Sequence, residues 1–192
     1  MPIVGVLALQ GDVREHVATL ERLDVKVLKV RTPEQLDDID CLIVPGGEST
    51  AIAHLLITSG IRPVLQARLD EGFKVLGTCA GLILLSDVVL DGRDDQWSFK
   101  KLDVSVRRNG YGRQIASFES PVDLKGVGEV PGVFIRAPKI EHVGDNVEVL
   151  ATLDHGDGTH AVFVRHENVW GCSFHPELTS ETRVHQLFTD AL

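Results

Sequence analysis

Four short apolar runs, each broken by a turn and followed by a stretch with helical spacing, constrain this sequence more than any other feature. They are residues 3–9 (IVGVLAL), 25–30 (VKVLKV), 41–44 (CLIV) and 73–78 (FKVLGT). The first and third read as strands buried on both faces, and the second alternates. Gln10-Gly11-Asp12 ends the first run. Asp12 with Glu15 makes a capping-box pattern, and Val13, Val17, Leu20 and Leu23 then share one helical face. Thr32-Pro33-Glu34-Gln35 supplies an N-cap, a proline at the first helical position and a capping glutamine. Pro45-Gly46-Gly47 ends the third run, and Ser49 or Thr50 is placed to cap a helix that stops near Gly60. Further helical stretches cover 62–71 and about 80–86. Strands alternating with helices across short connections predict an α/β fold: a doubly wound, mostly parallel sheet with helices on both faces.

The second half has another rhythm. The polar, acid-rich stretch 87–102 reads as a surface excursion. Strand-like runs follow at 103–107, 114–119, 133–136, 147–152, 160–166 and 169–174, and helical spacing returns over 181–192. These add strands, some antiparallel, to a single domain spanning 1–192. Lys and Arg number 19 against 28 Asp and Glu, a net charge of −9, which excludes a basic nucleic-acid-tracking face. No apolar run approaches the ~18 residues of a membrane span. The N-terminus lacks the basic segment of a secretory leader. Three cysteines, an odd number, point to a reduced, cytoplasmic protein. Neither a metal-binding motif nor a phosphate-cradling loop is present.

The chemistry concentrates at Gly77-Thr78-Cys79-Ala80-Gly81. A strand leads in and a helix leads out, so G-x-C-x-G is the cysteine counterpart of a nucleophile elbow. A nucleophile on so sharp a turn needs small neighbours two residues away on each side. The helix N-terminus favours thiolate, and the Ala80 N–H is placed to donate to an oxyanion. The same pentapeptide also suits a small core cysteine between packing glycines. Cys41 and Cys172 lie inside apolar runs and read as core thiols.

A thiolate needs a proton partner. His175 follows the run 169–174 and opens His175-Pro176-Glu177. In extended backbone Glu177 points to the same side as His175 and can fix its tautomer. Gly46 and Gly47 bring backbone N–H groups close to a ligand, and Glu48 can take a substrate ammonium group; a tight turn into a capped helix explains the same residues. Arg107, Arg108 and Arg113 cluster in an acidic protein, and Arg136 ends an apolar run; such arginines suit carboxylate recognition or internal ion pairs.

Taken together, LQGD (9–12), PGGEST (45–50), GTCAGLILL (77–85), RRNGYGRQ (107–114), FIRAP (134–138) and SFHPELT (173–179) resemble the glutaminase subunits of pyridoxal 5′-phosphate synthase. Those subunits are class I, triad-type glutamine amidotransferases. The resemblance implies that Cys79 is the nucleophile, with His175 and Glu177 completing a triad. It implies that Gly46, Gly47, Glu48, Arg108, Ile135 and Arg136 bind L-glutamine, and that Gly47 and Ala80 donate to the oxyanion. It also implies hydrolysis of glutamine to glutamate and ammonia, no cofactor, and a separate barrel-type synthase as protein partner that completes the oxyanion hole. The turn at Gln10-Gly11-Asp12 and the stretch 108–114 are expected to face that partner. Three alternatives share the generic triad: a glutaminase serving another synthase, a stand-alone γ-glutamyl hydrolase, and a catalytically silent regulatory subunit. PGGEST and FIRAP favour the vitamin B6 reading, and the intact triad argues against a silent subunit.

Overall fold

The structure, a computed structural model, describes residues 2–93, 96–111, 117–156 and 158–191. In chain order its strands are β1 (Ile3–Leu7), β2 (Lys26–Val30), β3 (Cys41–Val44), β4 (Lys74–Thr78), β5 (Ser86–Val89), β6 (Leu102–Arg107), β7 (Ser117–Leu124), β8 (Gly128–Ile135), β9 (Lys139–Val143), β10 (Glu148–Asp154), β11 (Thr159–His166) and β12 (Val169–Cys172). The helices are α1 (Val13–Arg22), α2 (Ser49–Thr58), α3 (Ile61–Asp70), α4 (Ala80–Leu85) and α5 (Arg183–Asp190).

The four runs in the first half form the parallel block β2-β1-β3-β4, and β12 joins it in parallel beside β4. The sheet then continues antiparallel through β11, β10, β7 and β8. A smaller sheet, β5-β6-β9, is not hydrogen-bonded to it but packs on it, with Leu102, Val104, Val106 and Ile140 in one core cluster with Val75, Leu82 and Val164. The expected architecture, mostly parallel at its core with antiparallel strands in the second half, is therefore present.

Strand alternation divides the core into two faces. On β3, Leu42 and Val44 pack with Ile52, Leu56 and Leu65 of α2 and α3, while Cys41 and Ile43 pack with Val17 and Leu20 of α1 and Phe188 of α5. Each buried Leu, Ile or Phe contributes roughly 1.5–3 kcal/mol, which explains why short strands with few aromatics hold the sheet. No described helix is long and apolar enough to cross a membrane.

Several local expectations need correction. The segment after Pro33 is only a 3-10 turn, Glu34–Asp38, although Gln35 does cap it by accepting from the Arg31 and Thr32 amides. Asp12 makes no capping bond to α1, because its carboxylate turns toward His175. Neither Ser49 nor Thr50 caps α2. Glu48 does, accepting from Thr50 N at 3.0 Å and Ala51 N at 2.7 Å. The stretch 87–102 is not all excursion. It opens in β5, and Phe99 is buried against the core at its other end. Strand β9 falls between two expected runs, and β7 and β8 extend beyond theirs, so that Pro121 faces Pro131. Residues 112–116, which hold the start of the expected run 114–119, lie outside the described residues, as do Asp94 and Asp95.

Candidate active site

Cys79 and His175 meet because their strands are neighbours. β12 and β4 run parallel with Cys172 opposite Thr78, and the Cys79 amide donates to the Cys172 carbonyl at 2.8 Å. Both chains therefore leave the sheet at the same carboxyl edge, where ligands bind in such sheets. Cys79 has φ 48° and ψ −103°, a conformation that costs a non-glycine residue roughly 1–3 kcal/mol. Its neighbours account for the glycine spacing. A Cβ on Gly77 would overlap the Gly81 backbone, and one on Gly81 would overlap the Val44 carbonyl oxygen. Ala80 opens α4, whose first N–H groups have no intrahelical acceptor.

His175 is buried and tethered at its backbone, its amide donating to the Val133 carbonyl at 2.8 Å. Its Nδ1 lies 2.7 Å from Glu177 Oε1 and 3.3 Å from Asp12 Oδ2. The expected contact with Glu177 is thus made, but by a different geometry. Pro176–Leu178 is a 3-10 turn rather than extended chain, and it folds the carboxylate back onto the ring. Burial works against the charged imidazole, yet hydrogen bonds to Asp12, Cys79 and Glu177 outweigh it and raise its pKa. Burial pushes the Glu177 carboxyl up, against the pull of His175. Asp12, His175 and Glu177 bring three ligand-type atoms within 4.8 Å of one another.

A cleft of about 420 Å³ opens over the sulfur, lined by Cys79, His175, Asp12, Gly47, Glu48, Ser49, Ile83, Arg108, Asn109, Ile135, Arg136 and Leu178. That volume falls within the range of small-molecule sites. Glu48 and Arg108 face each other across it at 3.2 Å, with Thr50 Oγ1 3.4 Å from the same guanidinium nitrogen. Partial burial opposes ionisation of Glu48, but the Thr50 and Ala51 amides and Arg108 prevail and lower its pKa. Ile135 is 41% exposed at the rim, and its carbonyl accepts from Cys79 Sγ at 3.9 Å. Arg136 follows with φ 44°. Gly47 has φ 153°, and the Gln10 amide oxygen fills the space a side chain there would need while accepting from Glu48 N at 3.0 Å. Gly46 lies against the His175 ring, leaving no room for a Cβ. A similar volume, about 430 Å³, lies along the β7–β8 hairpin between Glu119 and Gly132, with no thiol or imidazole in its lining.

The structure thus brings Cys79, His175, Gly47, Glu48, Arg108, Ile135 and Arg136 to one cleft, with Glu177 bonded to His175 and Gly46 against its ring. It separates Arg107, which pairs with Glu141 at 3.1 Å, while Arg113 and Gln114 lie outside the described residues. Cys41 and Cys172 are buried free thiols; burial pushes Cys41 up to about 12 and Cys172 also well up. Sequence reasoning missed Asp12 as a neighbour of His175. It also missed Asp91, whose carboxylate accepts from Arg108 N at 2.6 Å and so anchors the cleft's arginine. His16 is a third residue that the sequence did not mark. It sits three residues after Val13 and four before Leu20, on the core face, and that pattern was the available signal.

The model of the SNO glutamine amidotransferase family matches residues 6–192. The chain is 52% identical over 191 residues to "Pyridoxal 5′-phosphate synthase subunit PdxT" of Streptomyces avermitilis, covering 98% of this chain and 93% of that one. It is 50% identical over 190 residues to the protein of the same name from Mycobacteroides abscessus, covering 98% and 96%. Among solved structures, one described as a glutamine amidotransferase superimposes with a TM-score of 0.90 at 46% identity, covering 97% of each chain. PurLQS from Thermotoga maritima, at 16% identity and a TM-score of 0.71, covers 100% of this chain and 99% of its own and shares the fold alone. The chain belongs to the SNO glutamine amidotransferase family.

Proposed function

We propose that this chain, as one glutaminase domain over residues 1–192, hydrolyses L-glutamine to L-glutamate and ammonia and feeds the ammonia to a barrel-type synthase that makes pyridoxal 5′-phosphate. The observation that carries the reading is the Cys79–His175–Glu177 set at the floor of a cleft whose mouth pairs Glu48 with Arg108. An amino acid offers the complement of that mouth, an α-ammonium for Glu48 and an α-carboxylate for Arg108. Gly46, Gly47, Ile135 and Arg136 shape the remaining wall. The names of the relatives supply the product pathway.

In this mechanism the Cys79 sulfur attacks the side-chain amide carbon of glutamine. The carbonyl oxygen becomes an oxyanion facing the Gly47 and Ala80 amides. The C–N bond breaks as His175 gives its proton to the departing nitrogen, releasing ammonia and leaving a γ-glutamyl thioester. His175, now neutral, takes a proton from water. The hydroxide displaces the sulfur, and glutamate leaves with the imidazolium restored. An amide is a poor electrophile, so alignment of nucleophile, acid and oxyanion donors carries most of the rate. Gln10 already holds the Glu48 amide, which makes the loop around Gly47 the place where a docked partner completes the oxyanion hole. Three free cysteines suit a cytoplasmic setting.

The test is glutamate release from glutamine with and without the cognate synthase. The reading expects a slow rate alone and a large stimulation by the partner. A full rate without any partner would instead mark a stand-alone hydrolase.

A further inference from the structure

Behind the triad lies a buried polar chain that the mechanism above does not use. His16 of α1 is wholly buried, with Nδ1 2.9 Å from His185 Nε2 of α5 and Nε2 3.1 Å from Thr78 Oγ1, the residue before the nucleophile. The same Nε2 lies 3.5 Å from Glu177 Oε2. Glu177 Oε2 is itself buried and has no hydrogen-bond partner, so one oxygen of the triad carboxylate holds His175 while the other faces only His16.

Electrostatics favours one set of tautomers. If His16 Nε2 were bare, its lone pair would point at a buried carboxylate, so Nε2 carries the hydrogen. Nδ1 then accepts, and His185 must donate from Nε2. That leaves His185 Nδ1 as a bare acceptor, and it is the one ring nitrogen of the pair without a partner. An orphaned acceptor is tolerated better than an orphaned N–H, so the whole chain is consistent. Both imidazoles are held neutral. Burial lowers the pKa of His16, helped by His185 and His175, and lowers that of His185 to about 3, helped by Arg22.

We infer that His16 is a positioning residue for this reaction. With its tautomer set by His185, its Nε2–H bonds the Thr78 hydroxyl and stands 3.5 Å from the rear oxygen of Glu177, where the N–H dipole favours that carboxylate ionised and aimed at His175. The inference rests on the triad proposed above. His16 does not line the cleft and touches no substrate. In so buried a place, loss of that facing N–H is expected to cost about tenfold in rate. The groups facing Glu177 are His175 and Asp12 on the cleft side, His16 behind, and the Cys172 thiol on β12.

The experiment compares His16→Gln with His16→Asn in the complex with the synthase, reading kcat, KM and the pH dependence of glutamate release. The glutamine side chain reaches the Nε2 position with an N–H; the asparagine side chain does not. His16→Gln is expected to stay within about threefold of wild type in kcat. His16→Asn is expected to lose about tenfold or more in kcat, with KM for glutamine unchanged. Its acid limb should move to higher pH, because a buried carboxylate that has lost a facing N–H dipole ionises less readily. Equal kcat values and equal acid limbs for the two variants would overturn the inference. Should His16→Asn fail to fold, His185→Leu replaces it. That change releases the His16 tautomer and should move the same limb in the same direction; an unmoved limb overturns the inference. Cys79→Ala in the same assay separates the two levels. Full activity there removes the triad itself, whereas a dead Cys79→Ala beside equal Gln and Asn variants removes only the role of His16.

Discussion

The two ends of the cleft are built on opposite principles. At its floor, Cys79, His175 and Glu177 are each less than a tenth exposed, and contacts such as Cys79–Ile135 and His175–Asp12 join residues far apart in the chain. At its mouth, the Glu48 side chain is 54% exposed and that of Arg108 21%, and each has an anchor from its own or a nearby turn. Low dielectric at the floor makes hydrogen bonds strong and errors costly. Solvent at the mouth screens the ion pair and lets a zwitterion exchange with it. The floor is therefore expected to govern kcat, and the mouth KM.

The largest effect should come from the floor. Glu177→Gln keeps the shape but removes the charge that orients His175, and a loss of roughly 10³–10⁴ in kcat is expected, with KM little changed. Steady-state kinetics with the partner present checks it, and a change confined to KM would break the division between floor and mouth. Next is Gly81→Ala. Its Cβ would meet the Val44 backbone, which cannot rotate away, so a loss of about 3 kcal/mol in urea unfolding is expected.

Acid should act on the same region through the buried imidazoles. His16 and His185 titrate below their ordinary value of 6.5 in the folded chain, so the unfolded chain binds more protons beneath that pH. Stability is then lost as pH falls below about 6.5, down to about 3 for His185, by up to about 1.4 kcal/mol per pH unit for each ring. His175 has the opposite sign. Its raised pKa gives stability that is complete below 6.5 and is lost as pH climbs toward the folded value. Denaturant titrations across pH test both, and replacement of His185 by Leu should flatten the acid side only.

Smaller effects belong to the mouth. Arg108→Ala should raise KM about tenfold and leave kcat within a fewfold, since about 1.4 kcal/mol of ground-state binding is at stake. Asp91→Ala frees the Arg108 backbone rather than its charge and should raise KM only about two- to threefold. Equal losses of kcat in these two variants would show that the mouth also aligns the reaction.

The same contrast explains what could be read from the chain. The parallel half was legible because strands buried on both faces leave uninterrupted apolar runs, and the glycines around Cys79 are demanded by backbone contacts. The proposed triad was legible from that elbow together with His175-Pro176-Glu177. Asp12, His16 and Asp91 were not legible as site residues because tertiary contacts redirect them. Asp12 has the sequence of a helix cap but serves His175, and His16 meets a residue 169 positions away. Glu48 is a case of two roles on one side chain, capping α2 while pairing with Arg108. Strands β5 and β9 were missed because they are short, and their exposed positions carry residues such as Asp87, Glu141 and His142 that read as loop.

The most direct measurement is to trap the thioester. Wild-type chain in complex with its synthase, mixed with labelled glutamine and quenched in acid, should carry label on the peptide containing Cys79. Cys79→Ala should carry none and release no glutamate. Glutamate release by Cys79→Ala at the wild-type rate would contradict the account, as would label on any other residue.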